Sequence, residues 1–341
     1  MNTTNSNNGH HPKTLLAAIR YFSDQQLAHD FFVSMRWPND PICPRCGSTE
    51  VAYQPKYRRF QCKHSHDGRQ FTVKTGSVME DSPLGLDKWA LALWMEVNSK
   101  NSISSYEVHR AAGITQKSAW FLLHRLRFAV KRKSFEKMGR NGVPVEADET
   151  YLGGLAHNMH KDRRQRIITG RGQTGKTVVM GLLERHTSKK NSTVRTMVLP
   201  KHPSQADMQA IIHKHVEPGA HLMTDEHAAY QPLYSDFEHQ FIDHANRYAE
   251  GIVHTNGLEN FWSLFKRCIK GTHVSIEPFH TAAYLDSEAF RFNNREVKDG
   301  DRFVMAAKGL HGKRLTYKAL VGASELSPGN DKGEGSAGLP N

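Results

Sequence analysis

Three groups of residues in this 341-residue chain have side chains whose type and spacing suit chemistry. The first is "CPRC", Cys43 to Cys46, with Cys62 following in "FQCKHSHDGRQF". Two thiolates on one knuckle and a third opening a second knuckle are the pattern of a zinc ribbon in a reducing compartment, not of disulfides. Tetrahedral Zn2+ takes four ligands, and His64, His66 and Asp67 are the candidates for the fourth; His66 is preferred, because imidazole is the better structural ligand. A ribbon this small buries too little apolar surface to fold alone, so its one zinc would be structural. The second group is three carboxylates, Asp148 in "VPVEADETYLGG", Asp225 in "AHLMTD" and Glu259 in "HTNGLENFWSLFKRCIKGTH". The third, "GRGQTGKT" from Gly170 to Thr177, fits the phosphate-loop pattern letter for letter.

A phosphate loop leaves a buried strand and opens a helix. Here the basic "HKDRRQRIIT" precedes it and the β-branched "TVVMGLLER" follows, so the flanks are reversed. The stretch reads as a basic hairpin running into a strand at Lys176, with no nucleotide implied.

The carboxylates need elements to hold them. "VPVEADETYLGG", "TVVMGLLER" and "STVRTMVLP" are strand-like; "SQADMQAIIHKHV" is helical; "AHLMTD" and "HQFIDHA" are strands again. Three strands, a helix, then strands alternating with helices is the order of an RNase H-like α/β sheet. Asp148 is expected to close the first strand and Asp225 the fourth, and strand ends are where such a sheet presents its site. In the last stretch Leu258, Phe261, Trp262, Phe265, Cys268 and Ile269 form one apolar helical stripe, which makes Cys268 a core residue. Glu259, Ser263, Lys266 and Lys270 share another face, a carboxylate and lysines suited to a metal site with a phosphate beside it.

Upstream, "LGLDKWALALWMEVNS" reads as an amphipathic helix. In "SISSYEVHRAAGITQKSAWFLLHRLRFAVKRK" one helix ends at Ala111–Ala112, Gly113 makes the turn and Thr115 caps a second helix, the form of a helix-turn-helix. Its second helix would offer Gln116, Lys117 and Ser118 to base edges, although a plain αα-hairpin shares the pattern. Lys and Arg outnumber Asp and Glu by 46 to 34. The excess clusters at Arg125, Arg127, Lys131, Arg132, Lys133, Lys137 and Arg140 against Glu136, and again at Lys161, Arg163, Arg164 and Arg166, which points to a polyanion partner. No apolar run approaches the roughly 18 residues of a membrane span, and "MNTTNSNNGHHPK" has no signal-peptide core, so a soluble, cytoplasmic, nucleoid-associated bacterial protein with no membrane partner is expected. The Gly-, Ser- and Pro-rich tail "GASELSPGNDKGEGSAGLPN" is expected to be disordered.

Taken together, "RWPNDPICPRCGS", "VKTGSVMEDSPLGLDKW", "SSYEVHRAAGITQKSAWFLLHRLR", "DETYLGG", "HTNGLENFWSLFKR" and "FRFNNR" resemble insertion-sequence transposases that join an N-terminal zinc ribbon to a DDE-type integrase core, the ISXO-like group. The resemblance runs from about Tyr21 to about Arg295. It implies an N-terminal helical segment over 1–38, a zinc ribbon over 39–82, a helix-turn-helix module over 84–135, an RNase H-like catalytic core over 143–295 and a C-terminal extension over 296–341. It implies a transposase acting as a homo-oligomer on DNA, both element ends and target. Asp148, Asp225 and Glu259 would hold two Mg2+ or Mn2+ ions for DNA cutting and 3′-OH transfer, and Lys266 would hold a phosphate. Arg125, Lys176 and Lys266 would join Gln116, Lys117 and Ser118 along the DNA. The sequence departs from the family in two places: "HSHDG" stands where the ribbon usually has its fourth cysteine, and both Asn256 and Glu259 stand near the third catalytic position. Glu259 is preferred for its interval from Asp225 and for Lys266 seven residues on. A non-cleaving DNA-binding regulator, or a related nuclease without strand transfer, would share many of these features.

Overall fold

The structure is a computed structural model. It describes residues 11–131, 136–153, 161–162, 176–188, 191–225, 233, 235–242 and 254–322. Most of the phosphate-loop-like stretch, the second basic cluster after 162 and the tail from 323 lie outside these residues.

The N-terminal body opens with helices α1 (Leu15–Ser23) and α2 (Gln25–Arg36), separated by Asp24, whose carboxylate accepts the Gln26 and Leu27 amides and caps α2. A small antiparallel sheet follows, with strands β1 (Val51–Gln54), β2 (Arg59–Cys62) and β3 (Gln70–Phe71). Helices α3 (Leu86–Asn98), α4 (Ser105–Ala112) and α5 (Gln116–Val130) complete it. Ser104 and Glu107 form a capping box on α4. Gly113 ends that helix at φ 63°, a conformation with no side-chain penalty for glycine, and the Thr115 hydroxyl caps α5.

The second body is a five-stranded mixed sheet. Its strands are β4 (Val145–Leu152), β5 (Thr177–Glu184), β6 (Thr193–Val198), β7 (His221–Asp225) and β8 (Glu238–Ile242), in spatial order β6-β5-β4-β7-β8. The first three are antiparallel, whereas β7 joins β4, and β8 joins β7, in parallel. Helix α6 (Gln205–His215) covers one face, where Met208 and Ile212 pack on Val145, Ala147, Met180 and Leu182. Helices α7 (Asn256–Cys268) and α8 (Thr281–Asn293) cover the other, with Leu258, Phe261, Trp262 and Phe265 on Val179 and Leu183. Apolar residues therefore face both ways along β5, as expected of a strand covered on both sides.

The bodies interlock. Helix α8 puts Leu285 and Phe292 into the sheet core and Phe290 into the N-terminal core. At that junction the fully buried Glu96 of α3 accepts from Arg127 of α5 (3.1 Å) and from Ser287 of α8 (2.7 Å), while its carbonyl accepts from Arg291 (3.1 Å). The segment read as an extension also belongs here: in helix α9 (Asp299–Lys308), Phe303, Ala306 and Ala307 share a core with Phe22, Phe32 and Trp94. Beyond it the chain runs back along α5, with Lys313 donating to the Ala129 and Lys131 carbonyls, and ends its described part in the short helix α10 (Tyr317–Leu320).

Two expectations need correction. Asp148 does not close β4; it lies mid-strand, because the β4–β5 ladder continues to Leu152 opposite Thr177. The first basic cluster is not one solvated patch. Arg127 is buried on Glu96, Arg125 is buried against Phe121 and donates to the Leu315 carbonyl, and Arg140 pairs with Glu217 at 2.8 Å.

Candidate active site and metal centre

Two places gather reactive groups. In the ribbon, the first knuckle turns at Gly47 (φ 74°), and Cys62 ends β2. Cys43, Cys46, Cys62 and His66 bring their ligand atoms within 4.8 Å of one another. The Cys46 and Cys62 sulfurs are 3.6 Å apart and the Cys43 sulfur is 3.4 Å from His66 Nε2. A tetrahedron with Zn–S near 2.3 Å and Zn–N near 2.0 Å has edges of about 3.5–3.8 Å, so this donor set fits a structural Zn2+. His66 Nδ1 lies 2.9 Å from the Asp67 carbonyl, a hydrogen bond that leaves Nε2 unprotonated for a metal. Burial raises the Cys43 thiol, but hydrogen bonds from the Cys46 and Arg45 amides and from the neighbouring cysteines outweigh it and bring the group down to about 7, towards the thiolate a metal needs. His64 points instead to Glu50, at 3.8 Å.

The second place is the junction of β4, β7 and α7. Val145 pairs with Leu222 and Glu146 with Met223, so Asp148, three residues past Val145, runs level with Asp225, three past Leu222 and the last residue of β7. Helix α7 is fastened to β4 at two points on one face of the strand. Glu146, 1% exposed, accepts the Leu258 amide at 2.9 Å, which satisfies one of the open N–H groups at the start of α7. Arg185 holds the other Glu146 oxygen at 2.7 Å and donates to the His254 carbonyl. One turn further, the Trp262 indole N–H donates to Asp148 Oδ2 at 2.9 Å.

Two glycines make these contacts possible. A Cβ on Gly257 would stand 2.8 Å from Glu146 Oε2. A Cβ on Gly181, directly across the ladder from Asp148, would stand 2.6 Å from Trp262 Cζ2 and 2.8 Å from Leu258 Cδ2. Glu146, Arg185, Gly181 and Gly257 were not singled out in the sequence, and Trp262 was read only as part of the apolar stripe. The period-2 spacing of Glu146 and Asp148, and the three-residue step from Glu259 to Trp262, are the signals that could have found them.

Glu259 is exposed on α7, one turn before Trp262; Asn256 is the exposed first residue of that helix, and Lys266 is exposed two turns beyond Glu259. Burial first, then the charges of Glu149 and Asp225, push the Asp148 carboxyl up to about 7, against the lowering effect of the Trp262 indole. A divalent cation would relieve this crowding of negative charge, and carboxylate oxygens suit Mg2+ or Mn2+. Among the described residues only the ribbon set closes within 4.8 Å; Asp148, Asp225 and Glu259 do not come together at that distance.

The remaining candidates are less free than expected. Gln116 donates to Ser105, Lys117 Nζ lies 4.9 Å over the Tyr317 ring, and the Ser118 amide is taken by the Thr115 cap. Lys176 leads directly into strand β5, where a phosphate loop would open a helix. Among the described residues no helix is long and apolar enough to cross a membrane.

A sheet with two helical layers, an acidic strand junction and a separate thiolate–imidazole centre defines a two-part protein, and comparison with known proteins gives it a family. Residues 141–293 match the ISXO2-like transposase domain and residues 23–67 the transposase zinc-ribbon domain. An uncharacterized protein in transposable element ISH50 of Halobacterium salinarum is 27% identical over 295 residues, 82% of this chain and 96% of that protein. An uncharacterized transposase-like protein of Haemophilus influenzae is 36% identical over 106 residues, 31% of this chain and 85% of that protein. The chain belongs to the ISXO2-like transposases of insertion sequences, with a zinc ribbon at its N-terminal end.

Proposed function

We propose that the protein is a DNA transposase that binds the ends of its insertion sequence, cuts there and joins the freed 3′-OH to target DNA. The observation that carries this reading is the level placement of Asp148 and Asp225 on adjacent parallel strands, with α7 fastened to the first of them through Glu146 and Asp148. The strand order, three antiparallel and two parallel, is what an RNase H-like core requires and supports the same reading.

Asp148 and Asp225 would hold the cations from the sheet, and Glu259 would complete the set from the helix. Two Mg2+ or Mn2+ ions bound there would supply the activated nucleophile and stabilise the leaving oxygen. The Trp262 indole N–H already donates to Asp148 Oδ2, which would leave Oδ1 as the oxygen freer to meet a cation. Lys266, exposed on α7, would meet a phosphate next to the scissile one. A zinc held by Cys43, Cys46, Cys62 and His66 would be structural, steadying the fold of β1–β3 and taking no part in the chemistry.

The test is incubation of the protein with duplex copied from the ends of its insertion sequence and Mg2+, followed by analysis of cleaved and joined strands. Asp148→Asn and Asp225→Asn are expected to abolish both products while leaving end binding and folding nearly intact. Joining at the wild-type rate by either variant would remove the carboxylates from the mechanism.

A further inference from the structure

The α5 end offers few uncommitted groups, but the ribbon has a surface of a different character. Strands β1 and β2 are joined by Pro55–Tyr57 in a single 3-10 turn and by Arg58 in the left-handed conformation (φ 44°, ψ 45°). This conformation is unfavourable for most residues with a Cβ, asparagine and aspartate excepted, so a turn selected only for stability would have glycine or asparagine there. The chain places "KYRR" at this tip instead. Tyr57 is 58% exposed, with the Arg59 guanidinium 4.6 Å and the Lys56 ammonium 5.6 Å from its ring. The hydrogen-bond partners of the tip are neutral: Arg59 donates to Gln54 and Arg58 to Gln26. Among the described residues no carboxylate lies within ion-pair distance of Lys56, Arg58 or Arg59. Asp24, which feels the charge of Arg58, is already occupied as the cap of α2.

We infer that the hairpin tip Lys56–Arg59 is a DNA-contacting surface of this protein, with the three cations on phosphates and the Tyr57 ring as their apolar platform. The inference rests on the transposase reading and adds to it where the duplex is gripped. Charge complementarity selects the partner. Arg125, Arg127 and Arg140 spend their charge on internal carbonyls and carboxylates, whereas the tip presents three cations in four residues with no ion-pair partner among the described residues. The tip is carried on the paired strands β1 and β2, which limits the backbone freedom left to lose on binding.

The experiment measures the salt dependence of binding to a fluorescein-labelled duplex copied from the end of the insertion sequence. Each phosphate neutralised contributes roughly 0.9 to the slope of log K against log salt, so Lys56→Gln/Arg58→Gln/Arg59→Gln should flatten the slope by about 2 to 3. Gln116→Ala/Lys117→Ala should change it by less than about one unit. Zinc content and circular dichroism confirm that each variant is folded. A second measurement uses the wild-type protein: acetylation of lysines with and without duplex should show Lys56 protected, and Lys13 and Lys308 on the N-terminal helical face unprotected. A tip variant with unchanged slope and affinity, or Lys56 as reactive with duplex as without, would overturn the assignment and leave the transposase reading standing. A wild-type protein that fails to bind the duplex would overturn both.

Discussion

Gly181→Ala tests whether the packing of α7 on β5 sets the geometry at Asp148. The new methyl group would meet Trp262 Cζ2 at 2.6 Å and Leu258 Cδ2 at 2.8 Å. Ordinary contact begins near 3.4 Å, so the indole must retreat by about 0.8 Å. Overpacking of this kind costs about 1–3 kcal/mol, or roughly 2–10 °C in unfolding midpoint for a body of this size. The same retreat stretches the 2.9 Å bond from the indole to Asp148 to about 3.7 Å, beyond hydrogen-bonding reach. With displacements near 1 Å worth up to about a hundredfold in rate, cleavage should fall by about ten- to a hundredfold. Thermal unfolding and Mg2+-dependent nicking of end duplex read the two effects separately. Adding Trp262→Phe removes the atoms nearest the new methyl group, so part of the stability should return, but nicking should not, because the indole N–H is gone. Wild-type midpoint and rate in Gly181→Ala would refute the packing argument, and a lowered midpoint with an unchanged rate would refute the link from Trp262 to Asp148.

Purified protein should contain about one Zn2+ per chain, and His66→Ala should lower that content more than His64→Ala; equal retention in both would remove His66 from the site. Burial and the nearby charge of Arg127 lower His124 to about 2, and burial with Arg127 and Arg291 lowers His273 to about 3. Below about pH 6.5 the unfolded chain takes up protons that these folded imidazoles refuse, so stability should fall with falling pH by up to about 1.4 kcal/mol per unit for each. Urea midpoints compared at neutral and mildly acid pH should show a smaller fall in His124→Leu; an identical fall would mean that His124 is not held neutral.

The sheet was largely legible because its strands are apolar runs and its helices carry apolar stripes. "TVVMGLLER" became β5, and Leu258, Phe261, Trp262, Phe265 and Cys268 are all buried along α7. The turn at Gly113 and the cap at Thr115 were legible because they use local backbone chemistry. What the sequence concealed depends on distant partners. A run of arginines looks like a solvated patch until Glu96, 31 residues before Arg127, is found opposite it. The end of β4 depends on how far β5 stays paired, which moved Asp148 from the strand's edge to its middle. Glu146 carried no signal of its role in the sequence, because the amide it caps is 112 residues away.

The place of α9 has a consequence for how the chain is made. Phe303, Ala306, Ala307 and Leu310 complete a core whose other members begin at Ala18 and include Phe22, Phe31, Phe32 and Trp94. During synthesis the early helices must therefore wait, with these aromatic rings exposed, until the ribosome has released the segment through Leu310. At roughly 5–20 residues per second that wait lasts on the order of tens of seconds, long enough for chaperones to bind. A message cut short before codon 300 would yield an unfinished N-terminal body as well as a shortened protein, so a truncated copy of the gene would supply no stably folded product.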